Sequence, residues 1–305
     1  MAWLSSIRAA ILPGWQALPG NFRGIIWALL AAFAFSCMQV TIKQVGQNLP
    51  VWQILVLRSA LALAFILPAV SRAGIGSLKT SRPMAHVLRS CLGFGGISTL
   101  VLSLQHLDLT IVATLGFANT LFVIVLAWAF LGEKILRDRT LATMTGFIGV
   151  IICLRPGPEG VDIWALVMLA SAIFAAGVHT MVKSLTNTER PTTILFWAYV
   201  GILTLAAVPC ALTWEEMSLT DLALIAAIAA FTTMGQSCMV MSLRAGDAVA
   251  VAPVGYVRIL YATIFGYLLF SEVPAWSTFF GASVIIAATL YLAVRERRQG
   301  AKRKS

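Results

Sequence analysis

Arg258 stands in the middle of an otherwise apolar stretch, GYVRILYATIFGY at 255–267. A charge at the centre of a membrane helix costs about 2.5–3.5 kcal/mol on insertion scales, so such residues generally face a partner or a water-filled space. We predict that Arg258 faces a cavity and orients an acidic or polar group of a small molecule. The alternative is a structural arginine that bonds to backbone carbonyl groups.

Other polar side chains fall within apolar stretches and join Arg258 as candidates. Tyr256 and Tyr261 flank it and offer hydroxyl groups and aromatic faces. Asn119 takes the position of Arg258 when the sequence is shifted by 139 residues. The candidate substrate-binding residues are Arg258, Asn119, Tyr256, Tyr261, Gln39, Gln236 and Arg58, and His179 is a candidate proton relay.

Three further basic side chains lie near the ends of apolar stretches. Arg89 is expected to extend to the membrane interface, because its long apolar stem allows the charged group to reach water. His86 and His106 are expected to be solvated interface residues.

Several kinds of site are not indicated by the sequence. None of the twelve Asp and Glu residues falls deep in an apolar stretch, and a carrier that binds cations needs a carboxylate at depth. We therefore expect a neutral, zwitterionic or anionic substrate. No metal-binding Cys/His spacing, phosphate-binding GxxxxGK[ST] loop or catalytic HExxH occurs, so we expect no metal, no cofactor and no enzymatic activity.

The elements that carry these residues are predicted to be membrane helices. Of the 305 residues, 59% are hydrophobic and 11% are charged, whereas soluble domains average about 25% charged. An apolar run of about 20 residues crosses the hydrocarbon core as a helix. The fold is thus an all-α integral membrane protein, with ten predicted spans at 24–44, 50–70, 84–105, 109–131, 138–155, 161–183, 192–212, 219–243, 248–270 and 275–294.

The basic residues predict the orientation of these spans. Of the 22 Lys and Arg residues, 17 fall on one side, only Lys43 and Arg155 fall on the other, and Arg58, Arg89 and Arg258 lie within spans. Positive charge favours the cytoplasmic side, so both termini are predicted to be cytoplasmic. This asymmetry explains the net charge of +10 without a nucleic-acid partner. The expected partners are membrane lipids and a small-molecule substrate, and a homodimer is possible.

The chain also matches itself at a shift of 139 residues. SLQHLDLTIVATLGF at 103–117 aligns with SLRAGDAVAVAPVGY at 242–256, and Glu133 aligns with Glu272. Because five is odd, two halves of five spans must be inverted relative to each other. Inverted repeats are typical of secondary transporters, which bind substrate near the midplane between the repeats. The predicted segments are 1–22 (an interfacial or cytoplasmic segment), 23–155 and 161–294 (the two repeats) and 295–305 (a basic cytoplasmic tail).

The order of these stretches resembles the drug/metabolite transporter superfamily in its ten-span EamA type. The resemblance covers about residues 23–294, from LRSALALAF in the second span, through FLGEKI and GFIGVIICLRPG, to VAPVGYVRIL in the ninth. The second half has FSE where Gly-Glu is usual, and Thr114 replaces a small residue or proline. An arginine at the position of Arg58 recurs in the family whatever the substrate, which favours a structural or gating role.

The resemblance implies a secondary carrier of the bacterial inner membrane that works by alternating access. Its cargo would be a small organic metabolite, such as riboflavin, an amino-acid derivative or S-adenosylmethionine. The alternatives are an exporter of drugs or metallophores with the same fold, and a channel or sensor. A channel would more often have rings of charge supplied by several subunits.

Overall fold

The structure is a computed structural model that describes residues 18–131, 137–154, 162–185, 188–245 and 252–302. Within these ranges every regular element is a helix, as predicted. The α-helices are α1 (Gly20–Val45), α2 (Val51–Ala73), α3 (Pro83–His106), α4 (Leu109–Gly116), α5 (Ala118–Leu131), α6 (Arg137–Leu154), α7 (Ile163–Leu185), α8 (Pro191–Leu212), α9 (Leu219–Ala245), α10 (Val257–Phe270) and α11 (Trp276–Lys302), with 3₁₀ helices at Ile75–Leu78 and Ala252–Tyr256.

Each predicted span coincides with helices of the structure. In the described part of the chain, seven helical stretches are long and apolar enough to cross a membrane, and three shorter apolar ones lie at Thr143–Leu154, Val254–Phe270 and Trp276–Tyr291. One span is made of α4 and α5 together. Proline occupies the first turn of α3 and α8, where its missing N–H would have had no intrahelical partner.

Eight of the spans pack in a closed ring. In ring order the helices are α1, α9, α2, α8, α3, α7, the pair α4 and α5, and α10, which packs back on α1. The ring therefore surrounds a central region, with α10 and α4 at one arc and α2, α8 and α3 at the opposite arc. Each arc combines helices from both halves of the sequence.

The remaining two spans, α6 and α11, pack against each other outside the ring. Their contact depends on small residues: a Cβ added at Gly149 would lie 2.9 Å from the carbonyl oxygen of Gly281. Glycine pairs allow membrane helices to approach closely and increase van der Waals contact.

Candidate functional site

Two spans are interrupted at positions that correspond in the repeat. Phe117 separates α4 from α5, and α10 begins at Val257 directly after the 3₁₀ helix that ends at Tyr256. Phe117 and Tyr256 align at the 139-residue shift. Their rings also touch, with centroids 4.7 Å apart and planes tilted by 46°. Paired interruptions of this kind mark the substrate site in transporters built from inverted repeats.

Arg258 lies two residues after Tyr256 of this contact. Its guanidinium carbon is 5.8 Å from the centre of the Phe117 ring, within the range of a cation–π interaction. Gly116 leaves room for it, since a Cβ there would lie 3.6 Å from one terminal nitrogen. The side chain lies deep in the protein but keeps part of its surface accessible. Its Nε has no hydrogen-bond partner.

No carboxylate of the described residues neutralises Arg258. The one ion pair within the described ranges joins Lys43 to Glu272, in another part of the ring. Arg258 is therefore a buried cation with hydrogen-bonding capacity to spare, which is the property required to hold an anionic group.

Asn119 lies two residues after the interruption in α5, as Arg258 does in the other half. Its Nδ2 is 3.3 Å from Nδ1 of His179 on α7. Its Oδ1 is buried without a partner. The structure thus places the candidate relay His179 in contact with a candidate binding residue, which sequence position alone did not indicate.

Three buried polar side chains near the two interrupted spans also have atoms without partners. Gln39 and Ser36 on α1 are each 1% exposed, and Thr114 on α4 is 0% exposed. Gln39 Oε1 and both hydroxyl oxygens have no hydrogen bond. Most buried polar atoms in proteins are paired, so unpaired ones indicate a place for water or a ligand. Ser36 and Thr114 were not predicted, because serine and threonine are common in membrane helices and carry no distinctive signal.

The two candidate tyrosines are used differently from the expectation. The hydroxyl of Tyr256 hydrogen-bonds Thr289 on α11, and its ring contacts Phe117. Tyr261 packs edge-on against Phe33, with centroids 5.7 Å apart, and stacks with Phe265. The first contact joins α10 to α1 by apolar packing, and the second lies within α10.

Gln236 is exposed on α9, on a face whose burial changes along the helix. Ile225 and Ile228 are fully buried. Eleven residues further, about three turns on the same face, Gln236 is exposed and Met239 is 41% exposed. Further along α9, Cys238 is 7% exposed and Ser242 is 0% exposed, so Gln236 lies outside the buried face of this part of the helix.

The opposite end of the ring is closed by a buried ion pair that the sequence analysis did not predict. Lys43, 9% exposed, binds Glu272, 8% exposed. Lys43 Nζ also donates to the carbonyl of Leu107 at 2.6 Å, and Glu272 Oε2 accepts from the amide of Leu109 at 2.8 Å. These contacts join both halves of the chain. We call this group the Lys43–Glu272 cluster.

Electrostatics at this cluster extend to Asp108. Burial raises the pKa of Asp108, Glu272 raises it further, and Lys43 lowers it. From the sequence, Lys43 counts only as one of the two cations on the outer side, with no partner predicted. The available signal was its position inside the last turn of an apolar helix.

The expectations for His86 and Arg89 were wrong. His86 is 4% exposed, and neither ring nitrogen has a hydrogen-bond partner. It lines a cleft of about 310 Å³ between α3 and α8. Arg89 does not extend to the interface: one terminal nitrogen lies 3.7 Å from where a Cβ of Gly93 would be, one turn deeper. His106 is exposed, as expected, and its ring stacks on Trp164 at 3.5 Å.

Comparison with known families identifies the protein class. The model of the EamA-like transporter family matches residues 22–155 and, a second time, residues 162–294. The chain belongs to this family. This EamA-like chain is thus a multi-pass membrane transporter, and the predicted family and fold class are confirmed.

Named relatives of this EamA-like transporter carry different small molecules. It is 30% identical over 281 residues to an S-adenosylmethionine uptake transporter of Rickettsia bellii, covering 92% of this chain and 96% of the relative. A riboflavin transporter of Rhizobium johnstonii is 30% identical, with 92% and 93% covered. A pseudopaline exporter of Pseudomonas aeruginosa is 28% identical, with 88% and 95% covered.

A solved crystal structure has the same fold. It superposes with a TM-score of 0.58 at 13% identity and covers 92% of this chain and 97% of that chain.

Proposed function

We propose that this protein is a secondary carrier that takes up a small organic metabolite with an acidic group across the bacterial inner membrane. The observation that carries the proposal is Arg258, a buried cation without a carboxylate partner in the described residues, beside two interrupted helices. Arg258 binds the acidic group, Phe117 lies beside its guanidinium group, and Asn119 supplies a polar contact. Uptake is favoured because the relatives at 30% identity include an uptake transporter.

Alternating access requires that one end of the site is closed while the other is open. The Lys43–Glu272 cluster closes the end of the site at which it lies. With both termini in the cytoplasm, as the basic residues indicate, this closed end faces outward. We propose that the protein transports its cargo without catalysis, in the bacterial inner membrane and with both termini in the cytoplasm.

The first experiment measures counterflow in proteoliposomes with S-adenosylmethionine and riboflavin as probes. S-adenosylmethionine has a carboxylate, so we expect it to exchange in wild type. Arg258→Gln should lower exchange by about tenfold or more, since a charge-assisted hydrogen bond contributes about 1.5–3 kcal/mol. Arg72→Gln, at an exposed arginine of α2, is the matched control and should behave as wild type.

The counterflow experiment also distinguishes the role of Arg258 from the carrier function itself. Equal exchange by wild type and Arg258→Gln would make Arg258 structural and leave the carrier intact. If neither probe exchanges, metabolites of cells and medium are compared with and without the protein. A compound that accumulates in the medium would replace uptake by export.

A further inference from the structure

A second group of buried basic side chains lies on the arc of the ring opposite Arg258. Arg58 is on α2 and Arg89 is on α3, and both helices pack against α8. Both guanidinium groups lie within electrostatic range of the Tyr199 side chain on α8, and Arg89 lies within range of the like charge of Arg58. Three adjacent helices therefore bring two positive charges and one phenol together.

Both arginines are directed into the protein. Arg58 follows the fully buried Leu55 by three residues, which places the two on one face of α2. Arg89 extends alongside Gly93, whose own missing side chain leaves room between α3 and Ile202 of α8. Both arginines are half-buried by accessible area.

The hydrogen-bonding capacity of this region is not used up by the protein. Nε of Arg89 is buried without a partner, and so is Oγ of Ser59, next to Arg58 in sequence and 1% exposed. The described residues contain no ion pair here, since the one ion pair joins Lys43 to Glu272. Two buried like charges without a counter-charge are unfavourable unless an anion neutralises them.

We propose that Arg58, Arg89 and Tyr199 form a second anion-binding pole of the central region, facing the pole at Arg258. The pole takes a carboxylate or phosphate group, which comes either from the far end of the transported molecule or from a separate small anion exchanged for it. This rests on the proposed carrier function and extends its substrate class to acids that can occupy both poles.

The test measures binding of succinate and of inorganic phosphate to the purified full-length protein, with sodium chloride at equal ionic strength as the reference. The melting temperature is followed by intrinsic tryptophan fluorescence. Wild type should be stabilised by at least one of the two anions. Arg58→Gln and Arg89→Gln should each weaken that binding by about tenfold or more, and Arg72→Gln should leave it within about twofold.

Further variants separate this pole from the rest of the protein. Arg258→Gln should still bind the small anion, because the two poles lie on opposite arcs. Arg58→Lys keeps the charge and should keep part of the affinity, which distinguishes anion binding from misfolding of Arg58→Gln. Competitive inhibition of cargo counterflow by the bound anion would show that the far end of the cargo binds at this pole. Stimulation of counterflow by the same anion on the opposite side of the membrane would show that the anion is exchanged for the cargo.

Two results would overturn the proposal. One is that neither anion stabilises wild type beyond chloride. The other is that binding is lost in Arg258→Gln and kept in Arg58→Gln and Arg89→Gln, which would assign the only anion site to Arg258. Neither result affects the proposed carrier function, which the counterflow experiment tests by itself.

Discussion

Asn119 and His179 connect the two halves of the chain at the level of single residues. Asn119 follows the interruption in the first half, and His179 lies on the first long helix of the second. The Asn119 amide donates to His179 Nδ1 when that nitrogen carries no proton. Protonation of His179 would replace the acceptor with a second donor and break this bond.

This arrangement predicts a dependence of transport on pH. We expect wild-type counterflow to change when the pH is lowered enough to protonate His179, and His179→Gln to remove most of the change. The Gln side chain retains an oxygen that accepts from Asn119. His106→Gln, at an exposed histidine, is the control and should keep the wild-type pH profile. An unchanged profile in His179→Gln would exclude the relay.

Residues that interrupt a sequence pattern could be predicted as site residues, whereas residues in ordinary positions could not. Arg258 was visible because a charge interrupts an apolar run. The Lys43–Glu272 pair was not, because a lysine and a glutamate near helix ends are ordinary and only folding brings them together across 229 positions. The direction of Arg89 was equally invisible, since the same sequence allows its side chain to point toward the interface or toward Gly93.

At the level of elements, the end of α10 explains why Glu272 reaches the interior. Ser271 has a left-handed backbone conformation, with φ of 56°, and the amide of Glu272 bonds the carbonyl of Gly266 at 3.0 Å. This turn directs Glu272 back toward α4. Glycine adopts such a conformation without the cost that other residues incur.

Replacing Ser271 by glycine should therefore stabilise the protein. We expect Ser271→Gly to raise the free energy of unfolding by about 1 kcal/mol, measured as a higher melting temperature of the purified protein. Ser283→Gly, within α11, should instead lower it by about 0.5–1 kcal/mol. A lower melting temperature for Ser271→Gly would show that the Ser271 side chain contributes more than its backbone conformation costs.

At the level of the whole molecule, the Lys43–Glu272 cluster joins the two halves of the chain at one end of the ring. The Lys43–Glu272 cluster should keep Gln39 inaccessible from the Lys43 side, whereas Gln236 should be reached from the side of the termini. In a background without the five native cysteines, Gln236→Cys should react with an impermeant thiol reagent in inside-out vesicles. Gln39→Cys should not react in right-side-out vesicles until Glu272→Gln is added.

Gln47→Cys, exposed at the Lys43 side, is the control for reagent access in right-side-out vesicles. Labelling of Gln39→Cys from that side without the Glu272→Gln change would contradict a closed outer end. The reverse pattern for Gln47 and Gln236 would place the termini outside.

The number and orientation of the ten spans could be predicted, because they depend on the lengths of apolar runs, the distribution of basic residues and the internal repeat. All three can be read along the whole sequence. The ring order could not be predicted, since an apolar helix face does not specify its neighbour. α1 packs on α9 through contacts such as the bond from Ser242 to the carbonyl of Gly24, and nothing in either segment identifies the other.

The distance in sequence between Lys43 and Glu272 has a consequence for biosynthesis. When the first half has been inserted, Lys43 has Asp108 nearby but lacks its ion-pair partner, because Glu272 belongs to a segment still to be translated. Lys43 must stay among lipid head groups until α10 arrives, and only then can it move inward with its charge compensated. Nascent chains that stall before Glu272 should therefore lack the ion pair to Lys43 and be degraded by membrane proteases. The stability of the first helices thus depends on synthesis of the last ones.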